Sequence, residues 1–264
     1  MLIDCHTHLD QYGDEDVRLI MERSRATGVA FVITAGTTVA ASDRCVALTA
    51  THHDMFAGVG IHPMDLTGPV DETTYGALKS QAISTDKVIV MSEIGLDFME
   101  GCPPREVQYQ AFREQIRLAL ELRLPIVYHS REAHAESIRV LREEQAHKVG
   151  GAVHYFQADW DTARHAIDLG FYISLARPLL RLPHLQEVAA RTPLEWIVLE
   201  TDAFPQPFKP KRENWTEPRH LVEIAAKLAE IKNMDPAQVI EATGRNALRM
   251  LEERRSAIAR YVQI

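Results

Sequence analysis

Two histidines one residue apart, His6 and His8, follow the short apolar run Leu2–Cys5. Residues two apart in an extended strand share a face, so this pair can chelate one ion. Asp4 has the same parity and is placed to orient an imidazole through its second nitrogen. Similar groups end other apolar runs. Glu93 follows Val88–Ser92 and is itself followed by Ile94-Gly95-Leu96-Asp97. His129 follows Ile126–Tyr128, with Ser130 and Arg131 next; His154 closes the run from Gly151; Trp196–Leu199 leads into Glu200-Thr201-Asp202. The imidazoles of His6, His8, His129 and His154 with the carboxylates of Glu93 and Asp202 suit divalent zinc, manganese, iron or nickel. Six such ligands exceed one tetrahedral site with an open position. Two ions sharing a bridging carboxylate account better for the number. Zinc or manganese suits the imidazoles, whereas magnesium, although possible, usually prefers oxygen ligands.

Taken singly, each of these residues has an ordinary reading. A strand-end His is commonly hydrogen-bonded or half-exposed, and an Asp after a strand is often a helix cap. Jointly, ionisable groups gathered at one place without a cation would cost desolvation for no return. His62, in Gly60-Ile61-His62-Pro63, fits substrate contact better than metal ligation. The histidines at 52, 53, 134, 147, 165, 184 and 220 fall on expected helices or loops and read as surface or packing residues. Ser130 beside His129 is a poor nucleophile–base pair, because adjacent strand residues face opposite ways. Gly58-Val59-Gly60 lacks the third glycine of a dinucleotide fingerprint, and neither a P-loop nor a GxSxG elbow is present.

The elements that must position these groups alternate along the chain. Apolar runs rich in Val, Ile and aromatics occur at Leu2–Cys5, Ala30–Thr34, Phe56–Ile61, Val88–Ser92, Ile126–Tyr128, Gly151–His154, Phe171–Ser174 and Trp196–Leu199. Several are almost continuously apolar, as in strands covered on both faces. Between them lie helical patterns, clearest from Pro104 to Arg123, where Phe112, Ile116, Ala119 and Leu120 share a face. The expected fold is α/β: a single (β/α)8 TIM barrel spanning 1–264, with extra helix after Asp235-Pro236. A doubly wound open sheet is the alternative. In such a barrel, functional side chains sit where the C-terminal ends of the strands meet their loops, which places every ligand above at one mouth.

Bulk properties agree with a globular enzyme. The 264 residues are 46% hydrophobic and 25% charged, with a formal net charge of −8, which argues against disorder and against a broad basic binding surface. Three cysteines without a CxxC pair fit a reducing compartment, and no secretory or membrane-spanning pattern is visible. The expectation is a cytoplasmic monomer that does not engage membranes. Lys209, Lys211 and Arg212 could guide a polyanion, but a solvated turn is the better reading.

The blocks Asp4-Cys5-His6-Thr7-His8, Gly60-Ile61-His62-Pro63, Glu93-Ile94-Gly95-Leu96-Asp97, His129-Ser130-Arg131-Glu132-Ala133 and Glu200-Thr201-Asp202-Ala203 together resemble the TatD family. Gln108, Phe112 and Gln115, and the run Arg245–Arg249, add to the resemblance in the family's order. It implies an amidohydrolase-like metal hydrolase, a deoxyribonuclease working on single-stranded DNA from the 3′ end. It also implies that His6, His8, Glu93 and Asp202 hold one divalent ion and Glu93, His129 and His154 a second. Asp202 would then be the general base, with His62 or Arg131 contacting the substrate phosphoryl group. The chain departs from the family at Tyr155-Phe156-Gln157 and at Phe204, both in mouth loops. Hydrolysis of a small phosphoester, lactone, amide or aminoacyl ester is the alternative activity, and a non-catalytic binding paralogue is another reading. Two divalent ions would outweigh Glu93 and Asp202 and make the mouth locally positive, so DNA would be held weakly, near its end.

Overall fold

The computed structural model describes residues 1–264. Eight parallel strands run β1 (Leu2–Thr7), β2 (Val29–Ala35), β3 (Met55–Val59), β4 (Val88–Asp97), β5 (Ile126–Arg131), β6 (Gly151–Val153), β7 (Phe171–Leu175) and β8 (Ile197–Leu199). They pair in sequence order in one sheet. The ring closes just above the strands, where His8 N–H donates to the Ala203 carbonyl (2.8 Å), Asp202 N–H donates to that of His6 (3.0 Å), and Thr7 bridges Ala203 in parallel. The helices are α1 (Asp14–Ala26), α2 (Val39–Thr51), α3 (Glu72–Ile83), α4 (Arg105–Leu122), α5 (His134–Glu143), α6 (Trp160–Asp168), α7 (Pro183–Arg191), α8 (Leu221–Lys232), α9 (Pro236–Met250) and α10 (Arg255–Ile258). This is the TIM barrel expected from the alternation; the open sheet is excluded.

Sequence chemistry sets the ends of the elements. Thr38, Asp71, Asp159 and Asp235 each accept a backbone N–H at the start of α2, α3, α6 and α9, and Pro236 occupies the first position of α9. Helix α4 starts one residue inside the expected range and stops where Arg123 turns left-handed at φ +54°.

Two hydrophobic clusters divide the core. The larger lies between the strands and the helical ring, holding residues such as Leu2, Val32, Phe112 and Leu228. The smaller fills the barrel interior with Ile3, Cys5, Phe31, Ile33, Phe56, Val127, Ala152 and Val198, joined by Leu248, Leu251 and Ile258 from the C-terminal segment. Val127, Ala152 and Val198 point inward, so two residues further along each chain His129, His154 and Glu200 continue that face into the mouth. The apolar fill below is what forces these polar groups to the open end.

Strands β4 and β5 are longer than their apolar runs suggest, because β4 continues through Glu93 to Asp97 and β5 through His129 to Arg131. Gln108 of α4 braces the end of β4: it accepts from Asp97 N–H and donates to the Asp97 carbonyl (both 2.8 Å), while Gln115 accepts from Ile61 N–H just past β3 at 2.7 Å. Gly95 pairs with His129 at φ +149°, where a Cβ would collide with the His129 carbonyl. Only glycine lets β4 approach β5 so closely beside Glu93.

Candidate metal centre

Glu93 is the hub of the mouth. Its Oε2 lies 3.4 Å from His6 Nε2 and 3.3 Å from His8 Nε2. Its Oε1 lies 3.1 Å from His129 Nδ1 and 3.5 Å from His154 Nε2. Oε2 therefore faces His6 and His8, and Oε1 faces His129 and His154, with His62 Nε2 also 3.5 Å from it. Asp202 completes the first pair, with Oδ1 3.5 Å from His8 Nε2 and 3.9 Å from His154 Nε2. Its backbone sits at φ +50°, a conformation Asp tolerates better than most residues. All six residues singled out as ligands thus meet in one place.

The test of whether they suit a cation is what occupies the other nitrogen of each ring. His8 Nδ1 is 3.0 Å from the Ala35 carbonyl, an acceptor only, so the proton sits on Nδ1 and the Nε2 lone pair faces Glu93. His154 Nδ1 is 2.8 Å from Glu200 Oε1, and His129 Nε2 is 2.9 Å from Asp97 Oδ2. His6 Nδ1 has the Ser92 hydroxyl at 3.4 Å. The outward nitrogens of His8 and His129 are thus supplied with acceptors, and that of His154 lies close to the Glu200 carboxylate without a hydrogen-bonding angle, while the inward ones converge: His6 Nε2 and His8 Nε2 are 3.2 Å apart. Imidazoles backed by carboxylates or carbonyls are the usual arrangement around a divalent metal. The donor set fits such ions.

Electrostatics says the same. Burial opposes ionisation of Glu93, but His62, His154 and its other imidazole neighbours outweigh it and hold the carboxyl well below its usual range. Burial likewise opposes a charge on His154 and His8. The Glu200 and Glu93 carboxylates nevertheless raise His154 to about 10, and Glu93 and Asp202 raise His8 to about 9. The carboxylates demand positive charge, and protons supply it where a cation does not.

His62 is different in kind. Its Nδ1 accepts from Met64 N–H at 3.1 Å, so in the neutral ring Nε2 carries the proton and points at Glu93 Oε1, 3.5 Å away. Burial lowers its pKa to about 4, which keeps the ring neutral. A protonated Nε2 cannot bind metal but can donate to a substrate oxygen. Arg131 is committed on one side: Nε and Nη2 reach Asp97 Oδ2 at 2.8 and 2.7 Å, and Nη2 also touches Met64 Sδ. It lines the mouth cavity of about 660 Å³ together with His62, Ser130 and Asp202.

Two expectations are corrected. Asp4 orients no imidazole; it accepts from Thr201 N–H (2.9 Å) and from Thr201 Oγ1 (2.5 Å), tying β1 to the loop after β8. Pairing of β1 with β2 shifts register between Asp4 and Thr7, which breaks the simple alternation that put Asp4 behind the histidines. His134 is not a remote helix residue, since it lines the cavity and holds Ser130 Oγ at 3.0 Å. The 209–212 cations form the solvated turn that the sequence favours: Lys211 lies 3.7 Å from Glu213, Arg212 pairs with Asp16, Lys209 donates to the Asn214 carbonyl, and none lines the cavity. The roles of Asp97 and Glu200 escaped sequence reasoning. Their parity with Glu93 and with inward-facing Val198 was the available signal.

A barrel with a carboxylate-bridged histidine cluster at its mouth defines an amidohydrolase-like metal hydrolase. The TatD related DNase family matches residues 3–252, and the chain belongs to the TatD family of metal-dependent hydrolases. It is 32% identical over 257 residues to the uncharacterized metal-dependent hydrolase YabD of Bacillus subtilis, covering 95% of this chain and 98% of that one. It is 27% identical to human deoxyribonuclease TATDN3, covering 96% of each. The crystal structure of YjjV, a TatD homologue from Escherichia coli, superposes with a TM-score of 0.85 at 25% identity, covering 95% of this chain and 98% of that chain. No helix is long and apolar enough to cross a membrane.

Proposed function

We propose that this chain is a deoxyribonuclease that removes nucleotides from the 3′ end of single-stranded DNA. The observation that carries the reading is Glu93, whose two oxygens face separate histidine pairs and so suit two divalent ions about one carboxylate. His6, His8, Glu93 and Asp202 would hold one ion, and Glu93, His129 and His154 the other. Zinc or manganese suits the four imidazoles. Ions bound there would lower the pKa of a water and offset charge building on a phosphoryl group.

The protein's own groups supply the rest. Asp202 reaches over the cluster from the loop after β8 and takes the proton of the attacking water. His62 Nε2–H donates to a phosphoryl oxygen, and Asp97 holds Arg131 beside the same space. In-line attack then needs only that the scissile phosphate lie between Glu93 and these donors. A cavity of about 660 Å³ admits one nucleotide comfortably, within the roughly 300–1,000 Å³ usual for small-molecule sites. The TATDN3 relative, named a deoxyribonuclease, supports DNA as the substrate.

The deciding experiment is digestion of end-labelled single-stranded DNA by metal-reconstituted protein, resolved base by base. A ladder shortening from the 3′ end is expected. Cleavage of a small phosphodiester with neither single- nor double-stranded DNA touched would overturn the nuclease reading in favour of a small phosphoester substrate.

A further inference from the structure

The mouth cavity is polar on most of its wall: imidazoles, carboxylates, Arg131, Gln11, Gln157, Ser130 and Thr37. Apart from the imidazoles its only rings are Tyr155 and Phe204, both half-buried. Both are anchored by the backbone bonds that also hold metal-binding residues. Tyr155 follows His154 directly, at φ +47°, and its N–H donates to Glu200 Oε1 at 2.6 Å. Its ring lies 5.7 Å from that of His154, with an interplanar angle of 36°. Phe204 follows Ala203, whose carbonyl receives His8 N–H and whose backbone closes the barrel on Thr7.

Two aromatic side chains in the wall of the cavity that also holds Glu93 match the flat apolar face of a nucleobase. Small aliphatic phosphoesters and acyclic amides have no such surface to offer. Stacking on aromatic side chains contributes to single-strand binding with little regard to base identity. Building on the nuclease reading, we propose that Tyr155 and Phe204 form the platform that receives the base of the terminal nucleotide while its phosphodiester lies over Glu93. The enzyme would then grip its substrate through one base, which suits a molecule of net charge −8 with no wide basic track.

The test compares oligonucleotides ending in a natural nucleotide with the same strands ending in an abasic residue. Metal-loaded wild-type protein is expected to favour the natural end about 10-fold or more in kcat/KM, mostly through KM. Tyr155→Ala and Phe204→Ala should each lose about 10-fold on the natural end and little on the abasic end; Tyr155→Phe should retain the preference. A terminal 2-aminopurine should be quenched on binding to the wild type and to Tyr155→Phe, and less so by the alanine variants. Equal losses on both substrates would show the rings to be merely structural and overturn the proposal. Wild-type cleavage of both ends at one rate would also overturn it while leaving the nuclease reading intact. Failure to cut any DNA while a small phosphodiester is hydrolysed would remove the nuclease reading, and this proposal with it.

Discussion

At the scale of single residues, the division of labour follows from where each proton is held. Asp202 has its carboxylate over the cluster and only 14% of its side chain exposed, so Asp202→Asn should cut kcat by at least about 10²–10⁴-fold on any substrate. Steady-state rates at matched metal content test this, and unchanged turnover would remove Asp202 as the base. His62, with Nε2 protonated in its neutral ring, is assigned to the substrate rather than to the metal. His62→Ala should therefore lower kcat about 10²-fold while leaving bound metal, measured by elemental analysis, unchanged. Loss of an ion would show His62 to be a ligand after all. His8 and His154, at about 9 and 10, are protonated at neutral pH without metal. Loading metal at pH 7 should therefore release protons into weakly buffered solution, with affinity falling as pH falls. The sign for metal-free protein is opposite to that of a buried carboxylate. Because both folded pKa values are raised, their stabilisation is full below about 6.5 and is lost as pH rises through 9 to 10. Thermal melts of metal-free protein should fall across that window.

At the scale of elements, the strand ends matter as rigid brackets. Asp97 at the end of β4 holds both His129 and Arg131, and Gln108 from α4 fixes the Asp97 backbone. Asp97→Ala should weaken metal binding by about 10–100-fold, as measured by competition with a chelator. Gly95→Ala would collide with the neighbouring strand at a positive φ. It should destabilise the protein by more than about 1 kcal/mol in denaturant melts. The positions of Glu93 and Asp97 in the extension of β4 were hidden in the sequence, where the apolar pattern ends at Ser92. Ile94 and Leu96 do alternate with Glu93, Gly95 and Asp97, but this stretch lies beyond the continuous apolar run, and only pairing with β5 and the grip of Gln108 show the strand reaching Asp97.

At the scale of the whole molecule, the acidic surface and the charged mouth are separate facts. The chain carries −8 formally, and the cations of the 209–212 turn are engaged with nearby groups or with α1. With two or three phosphates contacted, the affinity for single-stranded DNA should fall with salt at a log–log slope of about −2. Binding isotherms at several salt concentrations give that slope directly; one of −5 or steeper would reveal a basic track that the structure lacks.

The sequence by itself determined the barrel, because alternating buried strands and amphipathic helices leave few other ways to cover both faces of a parallel sheet. It also determined the six candidate ligands, because strand ends in a barrel share one mouth. Tertiary structure decided how they divide: which oxygen of Glu93 meets which imidazoles, which nitrogen each ring turns inward, and that Asp4 spans the seam while Asp97 and Glu200 stand behind the histidines. Those choices depend on register shifts, a left-handed Asp202 and hydrogen bonds between residues up to 197 positions apart. No periodicity along the chain encodes such contacts; they form only when distant segments pack together.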